Sequence, residues 1–485
     1  MLFPLTIRAI GIRDFGLWLV SGEVLGYLLL SDLGVFAVLP WLVAGRDGAG
    51  DRAGIARLIA DASVVGIVMA GLLAAAAVSL GALDPLAVGL DPSDWNRVRA
   101  ALITMLGLSA AGALVRPFPS VIAGLQDAVF AGWVAVAQSV LTIGLTIGLV
   151  LVGGYGLIGL AVAAAAPPLL GGGAAAVRTL LSHGSVLRWL RPSPAGGWHL
   201  VREGFGPWLA GFGVRLLNGS TSLILAGLGR TDEATLYAAT GKVGQLLQNI
   251  AWIMPDSGLI GLSQIRASGD PQRTRRAALS LLMMYLMPSA FMAFAVLAVN
   301  PAFVAAWAGP DLYAGHAVNA VLALGLISGA AVTGLFKVVG AVGYRPAIGF
   351  ATLAFGGLAS VLSLGLGRAG DLAWVAAGPV VAALLFAIPV GLWLLPKVYP
   401  LTTREVLKWW LVWGLCSTPF LLAAGVVGIA LAVHTVWCFA AAGALGLGYL
   451  VFARPVIARV PWPDKARGLL TRFRLIPVGA TESSS

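Results

Sequence analysis

Charged residues are scarce in this sequence. Of its 485 residues only 11% are Asp, Glu, Lys or Arg, whereas 59% are hydrophobic and the mean hydropathy is +0.93. Ordinary globular domains carry roughly 25% charged residues. No stretch of about 100 residues is polar enough to form a separate soluble domain. The composition excludes a soluble protein and predicts an all-α membrane protein whose helices cross the bilayer many times.

Cysteine and histidine are also scarce, which leaves little basis for metal or redox chemistry. Cys416 and Cys438 lie in apolar segments, where thiols pack as small hydrophobic residues. The four histidines show no metal-ligand spacing: His183, His199, His316 and His434. We therefore expect no metal and no other cofactor. The net charge of +11 does not indicate nucleic-acid binding, because no basic stretch carries base-stacking aromatics.

Apolar runs near the ~20 residues that a membrane span requires recur along the whole chain. The thirteen predicted spans are 15–44, 62–83, 99–124, 129–152, 156–180, 204–230, 235–262, 277–299, 315–340, 345–366, 372–395, 406–430 and 432–453. The leading segment 1–10 is apolar but only ~15 Å long as a helix, which is too short to cross.

Basic residues are divided unevenly between the loops that these spans would place on the two sides of the membrane. If the C-terminal tail is cytoplasmic, the cytoplasmic loops and tail hold 21 Lys and Arg residues and the outer loops hold four. Cytoplasmic loops of membrane proteins are enriched in Lys and Arg. We therefore expect a multi-pass protein of the inner (plasma) membrane with a cytoplasmic C-terminus.

A weak internal repeat divides the chain into halves. Residues 17–24 align with 236–243 at an offset of 219, which places Glu23 opposite Lys242. If the second half repeats the first, segment 1–10 corresponds to the last third of a helix, so the first helix is predicted to be truncated. The predicted parts are an N-terminal lobe, an inter-lobe loop, a C-terminal lobe, two additional spans and a basic cytoplasmic tail, at 1–183, 184–203, 204–395, 396–453 and 454–485.

Seven charged residues fall within the predicted spans. A charge in lipid costs at least ~2.5–3.5 kcal/mol, so each should face water or a partner. The set has four cations and three acids: Arg116, Arg215, Lys242, Lys337, Glu23, Asp32 and Asp256. The opposite charges of Glu23 and Lys242 at repeat-related positions suggest an ion pair between the lobes that opens and closes during transport. Arg116 and Lys337 lie near span ends, where snorkelling to the cytoplasmic interface is an equal alternative.

Polar residues extend two of these positions into stripes along one helical face. The stripes are Arg215, Asn218 and Ser222 in span 204–230, and Lys242, Gln245, Asn249 and Asp256 in span 235–262. Two polar stripes that each carry a cation predict the wall of a water-filled central cavity. The alternative is that they form hydrogen-bonded seams between helices.

Several segments resemble those of a known protein family, and they follow in the same order along nearly the whole chain. They are RDFGLWLVSGEVLGYLLLSDLG (13–34), FPSVIAGLQD (118–127), the segment 201–247, LSQIRASGDPQRTRR (262–276), AWAGPDLYAG (306–315) and VVGAVGYRPAI (338–348). Together they resemble bacterial polysaccharide flippases of the MOP superfamily, which also holds the MATE drug exporters. The resemblance implies two six-helix lobes around a central cavity, followed by two C-terminal helices.

The resemblance also implies a function without an enzymatic step. The protein would flip undecaprenyl-diphosphate-linked oligosaccharide from the cytoplasmic to the outer leaflet by rocker-switch alternating access, for cell-surface polysaccharide (lipopolysaccharide or exopolysaccharide) biosynthesis. It would act as a monomer that meets the lipid-linked oligosaccharide, membrane lipid and the polymerase or export machinery. The substrate-binding candidates are Arg215, Lys242, Asn218, Gln245, Asn249, Arg116 and Lys337, and the gating or ion-coupling candidates are Glu23, Asp32 and Asp256.

One departure from the family pattern concerns the seventh helix, where the family often has an Asp. Ser222 or a neighbour occupies that place here, which puts in doubt an ion-coupling role at that position. Two alternatives remain open. A MATE-type drug/cation antiporter would need acids along its cavity, whereas the in-span cations outnumber the acids. A membrane polysaccharide polymerase or ligase would need a large outer loop or a metal-binding pair of acids, and the longest outer loops, 84–98 and 300–314, are short.

Overall fold

The structure is a computed structural model that describes residues 2–82, 92–187, 192–267, 269–341, 345–431, 435–460 and 471. All regular secondary structure in these residues is helical. Twelve helical segments among them are long and apolar enough to cross a membrane. The chain is therefore an all-helical, multi-pass membrane protein, as the composition predicts. The predicted outer loop 84–98 and the basic tail 454–485 lie largely outside the described residues.

Two compact units divide the chain, Met1–Asp232 and Glu233–Ser485. The helices of the first unit are α1 (Leu2–Ile10), α2 (Ile12–Leu28), α3 (Val35–Gly48), α4 (Arg52–Ala82), α5 (Pro92–Val115), α6 (Pro117–Gly124), α7 (Ala128–Leu145), α8 (Gly156–Leu187) and α9 (Pro194–Gly227). A 3-10 turn (Leu29–Asp32) connects α2 to α3, and a π-helical segment (Thr146–Val152) extends α7.

The second unit contains α10 (Thr231–Ala267), α11 (Pro271–Trp307), α12 (His316–Gly340), α13 (Arg345–Ala369), α14 (Leu372–Ala382), α15 (Ile388–Val398), α16 (Thr403–Ala430) and α17 (Thr435–Arg459). A π-helical segment (Ala383–Ala387) joins α14 to α15 in one continuous span. Side-chain caps begin several of these helices. Asp270 accepts a hydrogen bond from the Arg273 backbone at the start of α11, and Thr402 does the same for Glu405 at the start of α16.

Helix α10 contains the predicted span 235–262, but it is not one of the twelve segments that are both long enough and apolar enough to cross a membrane. It has 37 residues and is therefore ~55 Å long, which is more than a bilayer requires. Its polar residues, among them Lys242, Gln245 and Asn249, lower its hydropathy. The length of α10 supports the prediction of a span here, whereas its composition does not.

Helix α9 packs within the first unit, against α2, α3 and α4. The predicted division placed it in the C-terminal lobe, 204–395, so the observed packing differs from that prediction. Gly34 and Gly204 allow α9 to approach the first unit closely, because a Cβ added at either position would overlap the backbone of the other. Small residues allow two helix backbones to approach closely in a membrane. A boundary drawn from an internal repeat does not register such a contact.

The first span is broken between α2 and α3. Leu33 and Gly34 adopt the left-handed conformation, with φ of 49° and 77°. The Asp32 carboxylate accepts a hydrogen bond of 3.0 Å from the Gly34 backbone N–H, and the Trp208 indole N–H donates to the Leu30 carbonyl at 2.7 Å. Backbone polar groups at membrane depth must find partners in the protein. The break therefore has a defined conformation, in which side chains form hydrogen bonds with its backbone groups.

Helix α11 is the central helix of the second unit, and most of its residues are buried. Pro301 has no N–H, so the Leu297 carbonyl loses its hydrogen bond within the helix. Gly428 of α16 packs directly against this carbonyl. At the other end of α11, the Arg275 guanidinium donates to both carboxylate oxygens of Glu405 at 2.9 and 3.2 Å. Helix α16 is thus attached to α11 near both of its ends.

Replacing Gly428 with Ala should destabilise the second unit, because the added methyl group would overlap the Leu297 carbonyl oxygen. Overpacking of this kind costs typically about 1–3 kcal/mol. Gly425→Ala is the matched control, since nothing lies within 4 Å of its added Cβ and Ala favours a helix over Gly by about 1 kcal/mol. Thermal unfolding in detergent should show a lower Tm for Gly428→Ala only. Equal Tm values for the two variants would contradict the backbone contact.

Candidate functional site

The three acids within the spans each pair with a cation of the same unit. The charged atoms are 2.7 Å apart in Glu23–Arg215, 3.7 Å in Asp32–Arg116 and 2.7 Å in Asp256–Lys337. Among the residues that the structure describes, Lys242 is the in-span cation without an acidic partner. The seven predicted charges are thereby arranged as three neutral pairs and one ammonium group.

Glu23 on α2 and Arg215 on α9 form the first pair. Arg215 Nη2 also donates to the Gly22 carbonyl at 3.0 Å, and the guanidinium lies over the Tyr27 ring. Glu23 Oε2 and Arg215 Nε are buried, and neither has a hydrogen-bond partner in the described part of the chain. The 2.7 Å contact is therefore an ion pair without hydrogen-bond alignment. Glu23 has its cationic partner within the first unit, whereas the sequence hypothesis paired it with Lys242.

Glycines make room for this pair on both helices. A Cβ added at Gly26 of α2 would overlap the Arg215 guanidinium, and one added at Gly219 of α9 would overlap the Glu23 carboxylate. Both charged groups are thus enclosed between two closely packed helices. These contacts hold Arg215, a predicted substrate-binding residue, against α2.

The second pair, Asp32–Arg116, is looser. Its 3.7 Å separation exceeds hydrogen-bond distance, and only 9% of the Asp32 side chain is exposed. Asp32 bonds instead to the Gly34 backbone at the break between α2 and α3. Arg116 lies at the junction of α5 and α6, over the Phe36 ring at 5.5 Å. Asp32 therefore stabilises the break, and its contact with Arg116 is longer than its hydrogen bond to Gly34.

The third pair, Asp256–Lys337, joins α10 to α12. Lys337 Nζ donates to both oxygens of Asp256, at 2.7 and 2.8 Å. The Tyr285 hydroxyl of α11 donates to the same carboxylate. The ammonium also lies over the rings of Trp252 and Tyr285, at 5.5 and 5.7 Å from their centroids. This pair is the most exposed of the three, with 38% of Lys337 and 43% of Asp256 accessible.

Lys242 differs from the other in-span cations. Its ammonium donates to Gln245 Oε1 of the next turn at 3.2 Å. Gln245 and Asn249 are exposed on the same helical face, as the predicted stripe requires. Asn218 is exposed on α9 in the first unit, near Arg215 in sequence. The second unit thus presents one cation and two amides on a single face of α10.

Trp252 and Tyr285 are site residues that sequence reasoning missed. Trp252 lies four residues before Asp256 on α10, so the i, i+4 spacing could have identified it as a neighbour of that acid. Tyr285 lies on α11 in an apolar run, and no spacing rule relates it to a residue on another helix. The packing of α10, α11 and α12 brings Tyr285 and Lys337 to the Asp256 carboxylate.

Replacing Glu23 with Gln should destabilise the protein, because Arg215 would keep its charge without a counter-charge. Breaking a buried pair costs about 3–5 kcal/mol, and the loss here should be smaller because 21% and 31% of the two side chains are exposed. Replacing Arg215 with Gln as well removes the uncompensated charge, so the double variant should be more stable than Glu23→Gln alone. Thermal unfolding of Glu23→Gln, Arg215→Gln and the double variant measures the coupling. Strictly additive losses would show that the two charges do not interact.

Comparisons with known proteins identify the fold. No protein-family model matches the chain, and no curated protein sequence matches it. Among solved structures, the chain is similar to a multidrug resistance MATE family transporter of the MOP superfamily in an inward-facing conformation, with a TM-score of 0.67, 15% identity and coverage of 84% of this chain and 94% of that one. An outward-facing structure of such a transporter gives a TM-score of 0.57 at 14% identity, covering 81% and 92%.

A further similar structure is a MOP superfamily transporter from Pyrococcus furiosus, with a TM-score of 0.56, 15% identity and coverage of 80% and 89%. It is described as having a binding pocket of reversed polarity, which suggests a different function for that protein. Likeness at this level of identity concerns the fold and not the substrate. The chain has the fold of the MATE transporters of the MOP superfamily.

Proposed function

We propose that this protein flips an undecaprenyl-diphosphate-linked oligosaccharide from the cytoplasmic to the outer leaflet of the plasma membrane. It acts as a transporter, by alternating access of the rocker-switch type. Its C-terminus lies in the cytoplasm, and its product supplies the machinery that polymerises or exports cell-surface polysaccharide.

The observation that carries this proposal is the ammonium of Lys242. A charge in a membrane span is retained when it serves a function, because lipid disfavours it by at least ~2.5–3.5 kcal/mol. The other three in-span cations each pair with an acid, whereas Lys242 pairs with the Gln245 amide and with no acid among the residues that the structure describes. An uncompensated cation within a span suits an anionic cargo.

The groups around Lys242 match the chemistry of a lipid-linked glycan. An ammonium group binds phosphate oxygens through short, charge-assisted hydrogen bonds. The exposed amides of Gln245 and Asn249 can donate to phosphate or accept from sugar hydroxyls. The polyprenyl chain needs no polar partner and stays in the lipid.

Alternating access is supported by the fold. MATE transporters with this fold have been solved in inward-facing and outward-facing conformations. In the proposed cycle the diphosphate enters from the cytoplasmic side, contacts Lys242 and leaves on the outer side. Transporters place such sites near the middle of the membrane.

A drug/cation antiporter is the second candidate, and the multidrug transporters that share the fold favour it. Such a protein needs acids that are free to hold a proton, a sodium ion or a cationic drug. All three in-span acids of this chain are already paired with Arg or Lys. The charge arrangement therefore favours an anionic cargo.

Lys242→Gln should reduce flipping of a fluorescent diphosphate-linked oligosaccharide in reconstituted vesicles by at least about tenfold, the equivalent of losing about 1.4 kcal/mol of binding. Lys397→Gln is the matched control. It removes the same charge at the end of α15, where the ammonium lies over the Trp393 ring. Full flipping by the Lys242 variant would overturn the proposal. Transport of a cationic dye by the wild type, with no flipping, would establish the antiporter instead.

A further inference from the structure

The Asp256–Lys337 pair has the geometry of a bound anion. Both oxygens of one carboxylate accept hydrogen bonds from one ammonium group, at 2.7 and 2.8 Å. Two oxygens of a phosphate group can accept from an ammonium in the same way. The Tyr285 hydroxyl adds a second donor directed at the same anion.

We infer that Lys337 and Tyr285 form a phosphate subsite and that the Asp256 carboxylate occupies it while the protein is empty. Asp256 is thus an internal competitor of the substrate. The inference rests on the proposed function, because it gives the same diphosphate a second binding position. Asp256 lies ~21 Å along α10 from Lys242, so the diphosphate occupies the two positions at different stages of transport. The inference adds a subsite, a further donor in Tyr285 and a means of releasing the phosphate.

The subsite can persist when its anion is exchanged. The rings of Trp252 and Tyr285 hold the ammonium through cation–π contacts that do not involve Asp256. Lys337 therefore stays in position when a phosphate displaces the carboxylate. The Tyr285 hydroxyl can donate to either anion, because its proton rotates to suit the acceptor.

Access distinguishes this pair from the two pairs of the first unit. Lys337 lies in the last turn of α12, and the protein leaves 38% of the Lys337 side chain and 43% of the Asp256 side chain uncovered, whereas the Tyr285 side chain is buried. Glu23 and Asp32 are more enclosed, at 21% and 9%. Asp32 is further bound to the Gly34 backbone, which a phosphate would not replace.

The helix that carries Asp256 can bend at this point. Pro255 precedes the acid within α10 and has no N–H to bond to the preceding turn. A change in the bend there would move Asp256 toward or away from Lys337. Return of the carboxylate to the ammonium would expel the phosphate and reset the site.

Binding of inorganic pyrophosphate to the purified full-length protein in detergent tests the inference by calorimetry. Asp256→Asn should lower the Kd for pyrophosphate at least tenfold, because the competitor is removed. Adding Lys337→Gln to that variant should abolish the gain. Asp371→Asn is the matched control. It removes the same charge at the start of α14, and Asn caps a helix as well as Asp. Its Kd should stay within about twofold of the wild type.

An unchanged Kd in Asp256→Asn, or a gain that survives Lys337→Gln, would overturn the inference. A second measurement uses the unaltered protein, in case Asp256→Asn does not fold. Pyrophosphate should protect Lys337 from an amine-modifying sulfonate reagent, as read by peptide mass spectrometry, and no protection at saturation would also overturn it. Flipping by the wild type with no effect of Asp256→Asn would reject the subsite and leave the proposed function standing. A lower Kd for pyrophosphate in Asp256→Asn, in a protein that does not flip the lipid, would support the subsite and overturn the proposed function.

Discussion

The cost of placing a charge in hydrocarbon governs the polar interior of this protein. Each ionised side chain in a span must find water, a counter-charge or a dense set of hydrogen bonds. Glu23, Asp32 and Asp256 meet this requirement by pairing with cations of their own unit. Once those pairs are made, the surplus cation is Lys242, and the proposed cargo follows from that surplus.

The three pairs answer the same constraint in different ways. Glu23–Arg215 is enclosed between helices that approach through glycine, so it fastens α9 to α2. Asp32 accepts a hydrogen bond from the backbone at the break in the first span, and its contact with Arg116 is longer than this bond. Asp256–Lys337 is accessible and lies beside a proline within α10. Stability therefore explains the first two pairs, whereas the third has the exposure that exchange with a ligand requires.

The sequence predicts the spans well because hydropathy and helix length are local properties. It also identifies the seven in-span charges, since a charged residue in an apolar run needs no partner to be noticed. The pairing was not predictable in the same way. Glu23 and Arg215 are 192 residues apart, and the repeat offered Lys242 as the partner instead. Spacing rules relate residues on one helix, whereas Tyr285 reaches Asp256 from another.

The position of α9 shows the same limit. An apolar span was predicted at 204–230, and the helix begins ten residues earlier, at Pro194. Its contacts with α2, α3 and α4 include the close approach of Gly34 to Gly204. A glycine in a membrane helix is too common to indicate which helix it will meet. The internal repeat from which the lobe boundary was predicted carries no information about this contact.

The central claim is that Lys242 is an ammonium group open to water within a membrane span. It is tested most directly by introducing Lys242→Cys into a variant that lacks Cys416 and Cys438, and reacting it with a charged, membrane-impermeant thiol reagent in reconstituted vesicles. Labelling at a rate comparable to that of Lys397→Cys, at the exposed end of α15, is the predicted result. An unreactive cysteine at position 242, in a protein where Lys397→Cys is labelled, would contradict the account.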